Sequence, residues 1–366
     1  MNELTTAQRS TEPVAPVNIV VTPRRRHPVR KALLGLLACT LFLALAAVAG
    51  VFYLQNRLDN QIQRIDNVFT GLDNRPAKPT TGTAASSLNI LVMGTDRRAE
   101  GSATGLDGTG EEWIPGAQRT DAIMILHVDG DREGASLISI PRDSWVDVPG
   151  YGTNKINAAF SFSGPSLAIE TVEQYTGVRI DHLAVIDMIG FEALTDTLGG
   201  VDIRVPQTVE DTARNVVWAK GEHHLDGEEA LLYVRQRYGL PRGDFDRVQR
   251  QQAFVRSLMR STLQSLRNDG PRTVYDVLDT LSRHVSVDSG WSVGDLRSLA
   301  FDLRGMSTGD VDFMTVPVLG TGMEGDQSVV YLDASANRSL WESVRNDRVT
   351  RWLSMHATDV LTGPVR

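Results

Sequence analysis

The sequence predicts an α/β domain, an α/β/α arrangement in which a central mixed β-sheet is flanked by helices, preceded by one transmembrane helix. Three observations carry this. Short apolar runs rich in β-branched residues alternate with stretches of helical period. One long apolar run, residues 32–54, carries no charge. The 366 residues have room for one large domain or two ordinary ones, and the continuing alternation of strands and helices, with no repeat of fixed period, reads as one.

Residues 1–31 are rich in Pro, Thr and Arg and poor in apolar side chains, and read as a disordered basic cytoplasmic tail. "ALLGLLACTLFLALAAVAGVFYL" (32–54) follows. At about 1.5 Å per residue it reaches roughly 34 Å, against a bilayer core of about 30 Å. "RRRHPVRK" precedes it and charge-mixed "QNRLDNQIQRID" follows, so the positive-inside rule leaves the tail in the cytoplasm and the rest outside. "AVA" (47–49) resembles a cleavage site, but the run exceeds a signal-peptide core of roughly 7–15 residues. The reading is an uncleaved single-pass anchor in the cell membrane. The one cysteine, Cys39, lies inside this run and excludes an intrachain disulfide.

Residues 55–87 are expected to be a stalk and linker: a polar continuation of the anchor helix over 55–70, then "NRPAKPTTGTAASS" (74–87), flexible by composition. The extracytoplasmic domain is expected over 88–366. Strands are predicted at 88–94, 122–128, 135–140, 182–188, 201–206, 311–318 and 328–333. Helices are predicted at 166–177, 189–200, 225–237 with Asp226 as N-cap, 244–266, and more weakly near 271–285, 292–304 and 334–347. In the 244–266 helix Val248, Val255, Leu258, Met259, Leu263 and Leu266 form an apolar stripe. A long Gly-rich loop separates the first two strands.

No GxSxG, GxxxxGK, HExxH or CxxC motif occurs, and the pair His223-His224 lacks partners at metal-ligand spacing. The charged residues at strand ends are more informative. The first strand ends in "GTDRR" (Asp96, Arg97, Arg98), the second begins with "RTD" (Arg119, Asp121), and the third ends in "PRD" (Arg142, Asp143). Antiparallel pairing of the first two strands brings Asp96 and Asp121 to one sheet edge. Paired carboxylates without His or Cys suit a hard cation, Mg²⁺ or Mn²⁺.

Residues 235–252, "RQRYGLPRGDFDRVQRQQ", hold five arginines in a chain of net charge −8. An acidic chain argues against nucleic acid as a partner. Guanidinium forks do suit phosphate oxygens. Arg235 and Arg237 close one helix, and Arg247 and Gln251, four apart, share a face of the next. Arg250, Arg256 and Arg260 read in part as a solvated face. Taken alone, the residues suggest an external domain that holds a divalent cation and a phosphate-rich ligand. At the outer membrane surface the obvious such ligands are polyprenyl phosphates and pyrophosphates.

These motifs together resemble the LytR–CpsA–Psr family of cell-wall glycopolymer ligases. The matching stretches are "NILVMGTDRR", "QRTDAIMILHV", "LISIPRDSWVDVPG", "KINAAFSFSGP", "DHLAVIDMIGFEALTDTLGGVDIRVP", "LDGEEALLYVRQR" and "GDFDRVQRQQAFV", spanning about 88–265. The resemblance implies an apolar pocket for a polyprenyl tail beside the sheet. It places Mg²⁺ on Asp96 and Asp121. It assigns pyrophosphate contacts to Arg119, Arg142, Arg235, Arg237 and Arg247, with Gln251 beside them, Arg97 and Arg98 both as candidates, and Lys155 reaching toward the pocket. Asp96, Asp121, Arg142 and Arg247 are the expected catalytic set.

The second motif departs from the family: "RTDA" stands where "RSDT" is common, so Ala122 lacks a hydroxyl. The implied reaction moves a glycopolymer (teichoic acid, capsule and arabinogalactan are the classes) from a polyprenyl-pyrophosphate carrier to a peptidoglycan hydroxyl, in the family the muramic acid 6-OH. The general base stays open between Asp96 and Asp143. The rival readings are a polyprenyl-pyrophosphate phosphatase, a transcriptional attenuator or regulator, and a non-catalytic lipid- or glycan-binding scaffold.

Overall fold

The computed structural model describes residues 61–95, 120–236, 238–240, 244–268 and 270–356. The expected tail (1–31) and anchor (32–54), and Asp96, Arg97, Arg98, Arg119 and Arg237, lie outside them. Among the described residues no helix is long and apolar enough to cross a membrane.

The described strands are β1 (Gln63–Ile65), β2 (Leu88–Thr95), β3 (Thr120–Val128), β4 (Ala135–Ile140), β5 (Trp145–Val148), β6 (Gly152–Lys155), β7 (His182–Ile186), β8 (Val201–Val205), β9 (Val209–Asp211), β10 (Val216–Trp218), β11 (Gly221–Leu225), β12 (Val285–Asp288), β13 (Val311–Thr315), β14 (Val318–Glu324) and β15 (Gln327–Leu332). The helices are α1 (Ile156–Thr176), α2 (Met188–Thr197), α3 (Gly227–Val234), α4 (Asp244–Asn268), α5 (Pro271–His284), α6 (Val293–Asp302), α7 (Ala334–Arg345) and α8 (Val349–Met355).

Seven strands form the central sheet in the order β1-β12-β7-β2-β3-β4-β13. It is mixed: β2 pairs antiparallel with β3 and parallel with β7, while β4 pairs antiparallel with β3 and parallel with β13. Side-chain alternation along the strands builds a layer on each face. Ile123 and Ile125 of β3 pack in one cluster with Phe160 and Ile169 of α1 and Trp341 of α7. Their neighbour Met124 packs in another with Val255 and Met259 of α4 and Leu299 of α6. A satellite cluster joins Val201 and Ile203 of β8, Leu225 of β11, Tyr233 of α3 and Phe254 of α4.

Local chemistry sets the helix boundaries. Asp226 caps α3 by accepting from Glu229 N, and the Glu229 side chain bonds back to Asp226 N, closing a capping box. Asp187 caps α2 by accepting from Gly190 N. α1 begins ten residues before the predicted 166 and runs through a kink at Ser163 and Gly164, directly before Pro165. Gly164 takes φ +72°, a conformation that suits glycine.

The stalk and linker reading of 55–87 differs most from the structure. Where a polar helix was expected, β1 pairs parallel with β12, and Ile65 and Val68 are buried in the core. The Pro/Thr-rich stretch is docked: Arg75 forks onto Glu173, and Lys78 Nζ lies 2.7 Å from Asp181 Oδ1. The folded body thus includes residues well before Leu88. A three-residue strand carries too little periodicity to detect, and composition cannot report ion-pair partners about a hundred residues away.

Candidate active site

Register decides which charged residues meet. Thr95 at the end of β2 pairs with Thr120 at the start of β3, and Ile123 pairs with Ile140 at the end of β4. One sheet edge therefore collects the end of β2, Asp121 and Arg142. Arg142 Nη1 donates to Asp121 Oδ1. Arg142 Nε also lies 3.6 Å from Asp143 Oδ2, and Lys155 Nζ lies 3.2 Å from Asp143 Oδ1. Asp121, Arg142, Asp143 and Lys155 form a row of alternating charge. Lys155 serves Asp143 and is not among the residues that line the neighbouring cavity.

That cavity, about 360 Å³, opens between the sheet and the layer of α2, α3 and α4. Val92, Met124, Leu137, Phe191, Leu231 and Val255 supply apolar walls, and Asp121, Arg142, Arg235, Arg247 and Gln251 supply polar ones. Gly94 and Ala122 are paired across β2 and β3 and both line it. A Cβ on Gly94 would come 3.2 Å from Ala122 Cβ, so this pair of small residues keeps that wall low. At Ala122 the structure answers the missing hydroxyl with space.

Arg235 sits at the C-cap of α3, where cationic charge complements the helix dipole. Arg247 is buried near the start of α4, and Gln251, one turn on, shares the cavity-lining face as its spacing predicts. Gln251 Nε2 reaches the Val234 carbonyl at 3.5 Å, linking α4 to α3.

Arg250 corrects the solvated reading. It is buried, with its guanidinium 4.6 Å from the Tyr233 ring centroid and Nη1 donating to Gln236 Oε1. Burial lowers its pKa and raises that of the Tyr233 phenol. It braces the helix pair behind the site. Arg256 lies over Phe313 at 4.8 Å. Arg214, which motif reading misses, also lines the cavity from the turn between β9 and β10, with Nη1 2.9 Å from Asp211 Oδ2. Nothing near it in sequence marks it; the hairpin alone delivers it. His223 and His224 are spent on Ala219 O, Asp202 and Gly199 O.

The described donors at the sheet edge fit a hard cation in kind. Asp121 offers a carboxylate, and the buried Thr95 hydroxyl, which lines the cavity, has no hydrogen-bond partner among the described residues. The arrangement as a whole suits an amphiphile, with an anionic head among guanidinium groups and an apolar chain against the sheet.

A family model for LytR_cpsA_psr matches residues 57–346. The chain belongs to this family. "Cell wall biosynthesis protein LcpA" of Corynebacterium glutamicum is 29% identical over 358 residues, 88% of this chain. "Probable cell wall biosynthesis protein LcpB" of the same organism is 34% identical over 280 residues, 76% of this chain. The chain spans 66% of the length of each of these relatives. Among solved structures, TagT bound to LIIa-WTA superposes with a TM-score of 0.57 at 23% identity, covering 76% of this chain and 97% of that one. The shared fold is the mixed α/β sheet with flanking helices.

Proposed function

We propose that the protein is a membrane-anchored, extracytoplasmic phosphotransferase of cell-wall assembly. It moves a glycopolymer from a polyprenyl-pyrophosphate carrier to a peptidoglycan hydroxyl and forms a phosphodiester. The observation that carries this is one cavity with apolar walls and an Asp121, Arg142, Arg235, Arg247 and Gln251 rim, the complement of a lipid pyrophosphate. Membership of a family whose curated members include cell-wall biosynthesis proteins supports the wall as the setting. TagT, of the same fold, holds LIIa-WTA.

In this reading the acceptor hydroxyl attacks the phosphorus nearer the glycopolymer. The P–O bond to the bridging oxygen breaks, polyprenyl phosphate leaves, and the hydroxyl proton passes to a base. Arg142, Arg235 and Arg247 hold phosphate oxygens, and stabilise charge that builds on them in the transition state. Gln251 donates beside Arg247. Arg97, Arg98, Arg119 and Arg237 belong to the same proposed set by motif. Asp143, engaged by Lys155 and Arg142, orients Arg142. Mg²⁺ or Mn²⁺ held by Asp96 and Asp121 would supply Lewis-acid neutralisation of the pyrophosphate. The Val92, Met124 and Val255 walls take the first isoprene units and exclude water from one side of the head group.

The test uses full-length protein in detergent with a polyprenyl-pyrophosphate-linked glycan, with and without peptidoglycan. Release of polyprenyl phosphate should depend on peptidoglycan and leave glycan bound to it. Equal release without acceptor would make the protein a phosphatase instead.

A further inference from the structure

A second cluster of ligating atoms lies at the opposite end of β3, about 20 Å from Asp121 at ~3.4 Å per residue. His127 is fully buried there. Asn89 Nδ2 donates to the Arg179 carbonyl at 3.0 Å, which turns Asn89 Oδ1 toward His127 Nδ1 at 2.7 Å. His127 therefore carries a proton on Nδ1 and donates it to Asn89. Its Nε2 faces two carboxylates, 3.1 Å from Asp347 Oδ1 and 3.6 Å from Asp129 Oδ1. Asp129 follows β3 directly, and Asp347 sits between α7 and α8 at φ +55°. The Gly130 N–H and the Thr83 hydroxyl donate to Asp347.

We propose that His127, Asp129 and Asp347 form a structural site for a divalent transition cation of the zinc class. One imidazole nitrogen and two carboxylate oxygens suit such an ion better than Mg²⁺. Bonds of about 2.0–2.1 Å at tetrahedral angles place ligand atoms roughly 3.3 Å apart. The two separations from Nε2, 3.1 and 3.6 Å, bracket that value. The Nδ1–H bond to Asn89 is the outer contact that orients a ligating imidazole and frees Nε2 for the metal.

A proton on Nε2 would satisfy Asp347 but leave Asp129 poorly served. The Asp129 side chain is 23% exposed, which gives an ion a way in and water a place as fourth ligand. A bound ion would pin the β3–β4 turn to the α7–α8 junction and hold the C-terminal helices on the sheet. This is independent of the phosphate chemistry at the other end of β3.

The experiment strips full-length protein in detergent with EDTA and titrates it with ZnCl₂ under excess MgCl₂. Zinc retained after desalting is counted by elemental analysis, and melting temperature is followed. One zinc per chain should be retained, with a rise in melting temperature, and the same should hold for Asp121→Asn. Asp129→Asn, chosen because it leaves the His127–Asp347 contact intact, should remain folded by circular dichroism. It should bind zinc about tenfold or more weakly. Failure to retain zinc would overturn the site and leave a buried His127–Asp347 hydrogen bond. Zinc lost in Asp121→Asn, or kept at wild-type affinity in folded Asp129→Asn, would also overturn it.

Discussion

Arg75→Ala should destabilise the domain far more than a linker substitution would. Arg75 Nη2 and Nε donate to Glu173 Oε1 and Oε2 at 2.7 and 2.9 Å, and its guanidinium lies 4.3 Å from the Phe69 ring centroid. Glu173 is 2% exposed and also accepts from Ile180 N at 2.8 Å. Removing the arginine leaves a buried carboxylate without its cation, a loss of about 3–5 kcal/mol. At about 2–4 °C per kcal/mol for a domain of this size class, the melting temperature should fall by roughly 10 °C. Thermal melts of full-length protein in detergent, followed by circular dichroism, read this out. Glu173→Gln added to Arg75→Ala should recover part of the loss, because no buried charge then lacks a partner. A single variant melting within about 2 °C of wild type would refute the reasoning and restore residues 74–87 to the status of a loose linker.

Three further predictions concern the site and pH. Arg247→Lys keeps the charge but loses the fork, and should lower transfer by about 10²–10³-fold, measured as peptidoglycan-dependent release of polyprenyl phosphate. Ala122→Leu places a branched side chain opposite Gly94 in the cavity, and should weaken binding of a polyprenyl phosphate at least tenfold in a fluorescence titration. Burial pushes the Tyr175 phenol up to about 12. A raised folded pKa gives stability that is complete below the unfolded value near 10 and is lost as pH climbs toward 12. Denaturant melts should show this alkaline loss of about 2–3 kcal/mol, and Tyr175→Phe should reduce it.

The elements of the core were legible because their residues are locally patterned. β2, β3 and β4 read as strands from apolar β-branched runs, and α4 from its stripe at three- and four-residue spacing. Asp226 announces a helix start as an N-cap, and the structure adds Glu229 to close a capping box there. The β5–β6 hairpin, β9 to β11 and β1 were not legible: each is three to five residues long, and such short pieces are stabilised by what they pack on.

The site divides in the same way. Arg247 and Gln251 could be placed on one helix face from spacing, whereas the Asp121–Arg142 contact also needed the end of β4 to lie at the same edge, which the register of β3 with β4 decides. Arg214, the burial of Arg250 on Tyr233, and the service of Lys155 to Asp143 depend on contacts between elements distant along the chain or on the path of a turn. The sequence by itself determined the strands, the long helices and which charged side chains stand at their ends, because period and capping act within a few residues. Only the tertiary structure decided which of those charges share a cavity, that residues 63–87 belong to the folded body, and that His127 faces Asp129 and Asp347. Those facts rest on register and on packing across more than a hundred residues in several cases, and no local pattern encodes such distances.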